Sequence, residues 1–108
     1  MKMPVVFRSS VERQLDDAAD WWEKHHSSEQ AEKWYAGFVE SLALLYDHPT
    51  RFPLAPENDA FPFEVRELHY GLGSRPTHRA LFTIRPDMIY VICIRHLAQG
   101  EITLEDLL

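Results

Sequence analysis

The sequence holds a single cysteine, Cys93, so no disulfide can close within the chain. That cysteine stands in an apolar run, where a packed thiol is expected instead of a reactive one. No apolar stretch approaches membrane-spanning length, and Met1-Lys2-Met3-Pro4 leads into a short apolar run, unlike a signal peptide. A cytoplasmic protein without membrane contact is the expectation. Glycine is scarce, at 4 residues, and Gly71-Leu72-Gly73 precedes Pro76 where a helix would have to start, which excludes a glycine-rich phosphate loop. No serine occupies a nucleophile-elbow motif. The 6 histidines show no metal-ligand spacing and have no cysteine partner, so neither metal nor cofactor is expected.

Positive charge is also short. A formal net charge of −6 argues against a free-standing nucleic-acid binder, because phosphate contacts need clustered Lys and Arg. The charge is unevenly placed. Glu12, Asp16, Asp17, Asp20, Glu23, Glu29, Glu32, Glu40 and Asp47 make the first half acidic, whereas Arg66, Arg75, Arg79, Arg85 and Arg95 make the second half locally basic. With 108 residues and 45% hydrophobic content, the chain reads as a single domain over 1–108, able to bury one core.

What the chain does have is one long β-branched run, Met88-Ile89-Tyr90-Val91-Ile92-Cys93-Ile94-Arg95-His96, between Pro86-Asp87 and Gly100. Length and composition favour a strand. Strict alternation puts Met88, Tyr90, Ile92, Ile94 and His96 on one face and Ile89, Val91, Cys93 and Arg95 on the other. Both faces are apolar, so this strand is expected inside a sheet with cover on each side.

Pro4 to Arg8 reads as a first strand. Ser9 with Glu12 has capping-box spacing and opens a helix whose stripe is Val11, Leu15, Ala18, Ala19 and Trp22. Ser27 repeats the signal for a second helix, with Ala31, Trp34, Tyr35, Phe38, Leu42 and Leu45 as its stripe and Pro49 as its stop. Helices near 10–25 and 28–48 therefore form a hairpin, with Trp22, Trp34 and Phe38 locking it to a sheet. Prolines 49, 53, 56 and 62 make the next stretch a loop without regular elements, laid on the body by Phe52, Leu54 and Phe61. Strands over 63–70, 78–85 and 88–96 follow as an antiparallel meander, and 103–108 reads as a short terminal helix.

Arg66, Arg79 and Arg95 fall on strands that should be neighbours, where converging guanidinium groups could clamp a phosphate. The plainer reading, slightly favoured, pairs each with a nearby acid, such as Arg66 with Glu64 or Glu67. His78 and His96 have the chemistry for acid–base work, although a strand-end histidine is more often structural.

The order β-α-α-β-β-β, together with Arg8-Ser9-Ser10-Val11-Glu12-Arg13-Gln14-Leu15-Asp16-Asp17-Ala18, Val65-Arg66-Glu67-Leu68, Arg75-Pro76-Thr77-His78-Arg79-Ala80-Leu81-Phe82 and Ile94-Arg95-His96-Leu97-Ala98-Gln99, resembles the RelE/ParE superfamily of toxins from type II toxin–antitoxin pairs. The likeness spans nearly the whole chain and is closest to the ParE-like, plasmid-stabilisation branch. It implies an α+β fold, a curved antiparallel sheet with the helical hairpin on one face, and a cognate antitoxin as partner.

The resemblance also implies one of two activities. RelE-like members cut messenger RNA on the ribosome with basic residues and a tyrosine near the C-terminus, while ParE-like members lack that set and inhibit DNA gyrase. Arg66 and Arg79 match basic positions of the nuclease branch, with Arg95 and His96 beside them as further candidates. After the fourth strand, however, this chain has Ala98-Gln99-Gly100-Glu101-Ile102-Thr103-Leu104, and its last tyrosine is Tyr90. The expectation is a gyrase-binding toxin instead of an enzyme. A ribosome-dependent nuclease and a non-toxic antitoxin-binding protein remain as alternatives. One hairpin covers only one face of the fourth strand; the proline-rich loop and the 104–108 tail could cover part of the other, and an antitoxin segment is expected on the rest, its acids meeting the three arginines, with a homodimer as the weaker option.

Overall fold

The computed structural model describes residues 3–107. Strand β1 (Val5–Phe7) leads into helices α1 (Val11–His25) and α2 (Ser28–Ala43), followed by strands β2 (Arg66–Tyr70), β3 (His78–Ile84) and β4 (Ile89–His96). The sheet order is β1-β4-β3-β2. The α+β class and the helical hairpin agree with expectation, and β2–β3–β4 is the antiparallel meander. The sheet as a whole is mixed, because β1 lies parallel to β4. The chain leaves β1 through the hairpin and returns through the meander, so β4 arrives beside β1 running in the same direction. Flanked by strands on both sides, β4 carries the β-branched composition of a central strand.

Each helix buries one stripe against the sheet. Val11, Leu15, Ala18 and Trp22 do so from α1, and Ala31, Trp34, Phe38 and Leu42 from α2. Their partners are Ala80, Phe82, Ile89, Val91 and Ile94. Burial of each large apolar side chain contributes roughly 1.5–3 kcal/mol. Ser27 caps α2, its hydroxyl accepting from the Gln30 N–H at 3.1 Å. The capping box expected at Ser9 does not form. Ser10 takes the N-cap position without a side-chain cap bond, and its Oγ accepts from Arg8 Nη1 at 2.7 Å instead.

Helix α2 also stops before the expected 48, and the proline-rich stretch is more regular than its prolines suggested. Short 3-10 helices span Pro49–Arg51 and Pro56–Ala60, each with proline in its first turn, where no N–H is needed. The terminal helix is a single 3-10 turn, Leu104–Leu107, held by Thr103 and Asp106. Leu108, which the expected helix included, lies outside the described residues.

Gly37 lets α2 approach the sheet. Tyr70 stacks on Phe38 with centroids 4.9 Å apart, and a Cβ at Gly37 would overlap its hydroxyl. Gly37→Ala is therefore expected to cost about 1–3 kcal/mol despite alanine's better helix propensity. Urea unfolding decides, and a stabilised variant would show that the Tyr70 ring moves freely.

The second face of the sheet is closed by the chain itself. Ala55, Phe61 and Val65 from the loop, with Ile102 from the tail, pack on Leu81, Ile92 and Cys93. No partner is needed there, so the expected bare apolar face, for antitoxin or second copy, is corrected. The faces of β4 also differ from strict alternation. Leu81 pairs with Cys93 but Phe82 with Val91, a β-bulge that leaves Ile92 as the extra residue. Beyond it the phase reverses: Ile94 joins Ile89 and Val91 beneath the helices, while Ile92 and Cys93 both face the loop.

Candidate functional site

The bulge turns His96 to the helix side, opposite His78 in the β3–β4 register. The two imidazoles meet edge to face at 4.9 Å. Trp21 of α1 completes the group, its ring 5.0 Å from His96 and 5.9 Å from His78, and it stacks on His25 at 4.6 Å. His78 is 2% exposed, lies 4.7 Å from Trp34, and has its Nδ1 2.8 Å from Thr77 Oγ1. Burial, and secondarily the neighbouring His96, push its pKa down to about 4, so it is neutral at neutral pH.

His96 is held differently. Its Nδ1 accepts from the Ala98 N–H at 3.0 Å, and its main-chain N–H donates to Gln99 Oε1 at 2.7 Å, capping the 3-10 turn Leu97–Gln99. With Nδ1 accepting, the neutral ring carries its proton on Nε2. Between α1 and the end of β4 opens a cleft of about 550 Å³ lined by Gln14, Asp17, Trp21, Ile94, His96 and Gln99, among others. It has an aromatic and apolar floor and a single carboxylate at its side.

The three arginines do not converge. Arg66 pairs in register with Phe82 and so lies on the helix side, where Nε donates to Glu64 at 2.9 Å and Nη1 to the Phe52 carbonyl at 2.6 Å. Arg79 and Arg95 pair across β3 and β4 on the opposite face. Arg79 is 5% exposed, and both of its terminal nitrogens are engaged. Nη1 donates to Glu57 at 2.8 Å and to Glu67 at 3.1 Å, while Nη2 donates to Glu57 and, at 3.0 Å, to the Gly100 carbonyl. Burial alone would raise the Glu57 carboxyl, but bonds from Arg79 and the Ile102 N–H outweigh it and hold it below the usual value. Arg95 reaches back to the Gln99 carbonyl at 3.0 Å, and its buried Nε finds no partner among the described residues.

Among the described residues, no three of His, Cys, Asp and Glu are grouped to hold a metal ion. Burial pushes the Cys93 thiol up to about 11, so it is no nucleophile. Also among those residues, no helix is long and apolar enough to cross a membrane. Two residues escaped the sequence reading. Glu57 gave no signal in its proline-rich loop. Trp21 did: a second indole beside Trp22 lies off the buried stripe of α1 and has to face something else.

Comparison with known proteins gives this geometry a family. No curated protein matches the sequence. The solved structure described as "Chromosomal ParDE TA system from P. aeruginosa" superposes with a TM-score of 0.69, covering 88% of this chain and 96% of that one at 22% identity. At that identity the likeness is one of fold. The model of the family described as "ParE toxin of type II toxin-antitoxin system, parDE" matches residues 5–100, nearly the whole described fold from β1 to the turn after β4. The chain belongs to the ParE toxin family of type II toxin–antitoxin systems.

Proposed function

We propose that this protein is a cytoplasmic toxin of the plasmid-stabilisation type that acts by binding DNA gyrase and is neutralised by a cognate antitoxin. The supporting observation is the state of Arg79. It occupies the position that matches a basic residue of the ribonuclease branch, yet its terminal nitrogens are taken by Glu57, Glu67 and the Gly100 carbonyl. A guanidinium so neutralised has no free terminal donors for a scissile phosphate. Arg66 is likewise turned into the Phe52 loop. Binding without covalent chemistry suits these residues better than RNA cleavage does.

Induced expression without the antitoxin, following DNA and protein synthesis separately, tests this. Replication should stop first and cells should filament, and the purified protein should inhibit gyrase supercoiling. Early arrest of translation, with messenger RNA cut on ribosomes, would transfer the reading to the nuclease branch. Normal growth alongside antitoxin binding would make it a non-toxic binder.

A further inference from the structure

The turn that ends β4 is fastened by a histidine. His96 Nδ1 accepts from the Ala98 N–H at 3.0 Å, and the His96 N–H donates to Gln99 Oε1 at 2.7 Å, which closes Leu97–Gln99 on itself. The Gln99 carbonyl accepts in turn from Arg95 Nη2 at 3.0 Å. Hydrogen bonds to the body lie at the two ends of this turn, from the Leu97 N–H to the Thr77 carbonyl and from Arg79 to the Gly100 carbonyl. Closure leaves Arg95 with a buried Nε that has no partner among the described residues.

A main-chain N–H can only donate, so Nδ1 must offer a bare lone pair to hold Ala98. The usual capping residues, Ser, Thr, Asp and Asn, keep their acceptor oxygens throughout the neutral range. Histidine is the side chain that changes charge there. Nε2 already carries the hydrogen of the neutral ring, so an added proton has to go to Nδ1. At that atom it turns the acceptor into a donor facing a second donor.

We propose that the His96 cap is an acid-released latch: protonation of Nδ1 breaks the bond to Ala98, opens the turn Leu97–Gln99 and frees Arg95 beside the new imidazolium. The capped form holds no proton on Nδ1 and the open form takes one, so the latch is shut at higher pH and opens as pH falls. Opening also hydrates the orphaned Arg95 Nε, which favours release. Several groups face the ring. From β3, the buried and neutral His78 lies 4.9 Å away. From α1 come Trp21 at 5.0 Å, whose π-system favours a cation, and Asp17 in the same cleft, which does likewise. His25 and His26 meet that indole at 4.6 and 6.0 Å, and Arg95 on β4 itself opposes a neighbouring charge. The tail past Gly100 has its own anchor, the Ile102 N–H on Glu57 at 2.9 Å, so opening stays local.

Ring 15N shifts and amide exchange of the full chain, followed by NMR from pH 8 to 5, test the latch. At the upper end His96 should carry its hydrogen on Nε2. As Nδ1 gains a second one, protection of the Ala98 and His96 amides should fall at least fivefold with the same midpoint, while the Ile102 amide keeps its own. His96→Asn supplies a capping oxygen that does not titrate, and protection of the same two amides should stay level across the range. His78→Gln should retain the wild-type fall. A His96 ring that takes up its proton with both amides still protected would overturn the proposal. So would an equal fall in His96→Asn, or a fall abolished by His78→Gln.

Discussion

Replacing Glu57 with alanine is expected to remove about 3–5 kcal/mol of folding stability, a large share of the 5–15 kcal/mol typical of a domain. Glu57 is 1% exposed and binds Arg79 through both carboxylate oxygens, one of which also accepts from the Ile102 N–H at 2.9 Å. It therefore joins the proline-rich loop, β3 and the C-terminal tail at one point. Without it, Arg79 keeps only Glu67 and the Gly100 carbonyl, and a buried cation is left half compensated.

Urea unfolding should show the loss, and exchange at Ile102 should quicken. Glu67→Ala should cost less, since Glu67 makes a single longer bond to Arg79 and also meets the half-exposed His69 at 2.8 Å. The double change Glu57→Met with Arg79→Leu should recover most of the loss, because an apolar pair avoids the desolvation cost that the ions carry. A Glu57→Ala loss below about 1 kcal/mol would mean that water reaches the guanidinium and the clamp is dispensable.

The second large effect is acid sensitivity from His78. Its pKa is depressed to about 4 in the fold against an ordinary 6.5. Between those values the unfolded chain binds a proton that the folded chain refuses. Stability is complete above about pH 6.5 and falls as pH drops toward 4, by about 3 kcal/mol over the window. Glu57, whose carboxyl is held below its usual 4.5, loses its contribution only at lower pH, so the upper part of the window belongs to the histidine. Denaturant midpoints from pH 7 to 5 should decline for the wild-type chain. His78→Gln should be less stable at pH 7 but flatter across that range. An equal decline in both would place the titrating group elsewhere.

The sequence by itself determined the class and the main helices and strands, though not every boundary. The 31, 34, 38, 42 and 45 stripe, the Ser27 cap and the β-branched run at 89–94 each have one local solution, because helix and strand periods are set by a few adjacent residues. Family residues along the chain placed it among the RelE/ParE toxins. The pairing of Arg66 with Glu64 was likewise legible, since the two are near neighbours in the chain.

Tertiary structure decided what depends on distant partners. One extra residue, Ile92, reversed the phase of β4 and carried His96 to Trp21 and His78, while Arg66 and Arg79 fell on opposite faces. A bulge is a property of two strands meeting, and neither sequence alone records it. The same holds for Glu57, whose partner is 22 residues away, and for the loop and tail that close the second face. Burial energy is non-directional, so any apolar segment can cover an apolar sheet, and chain geometry selects the one that does.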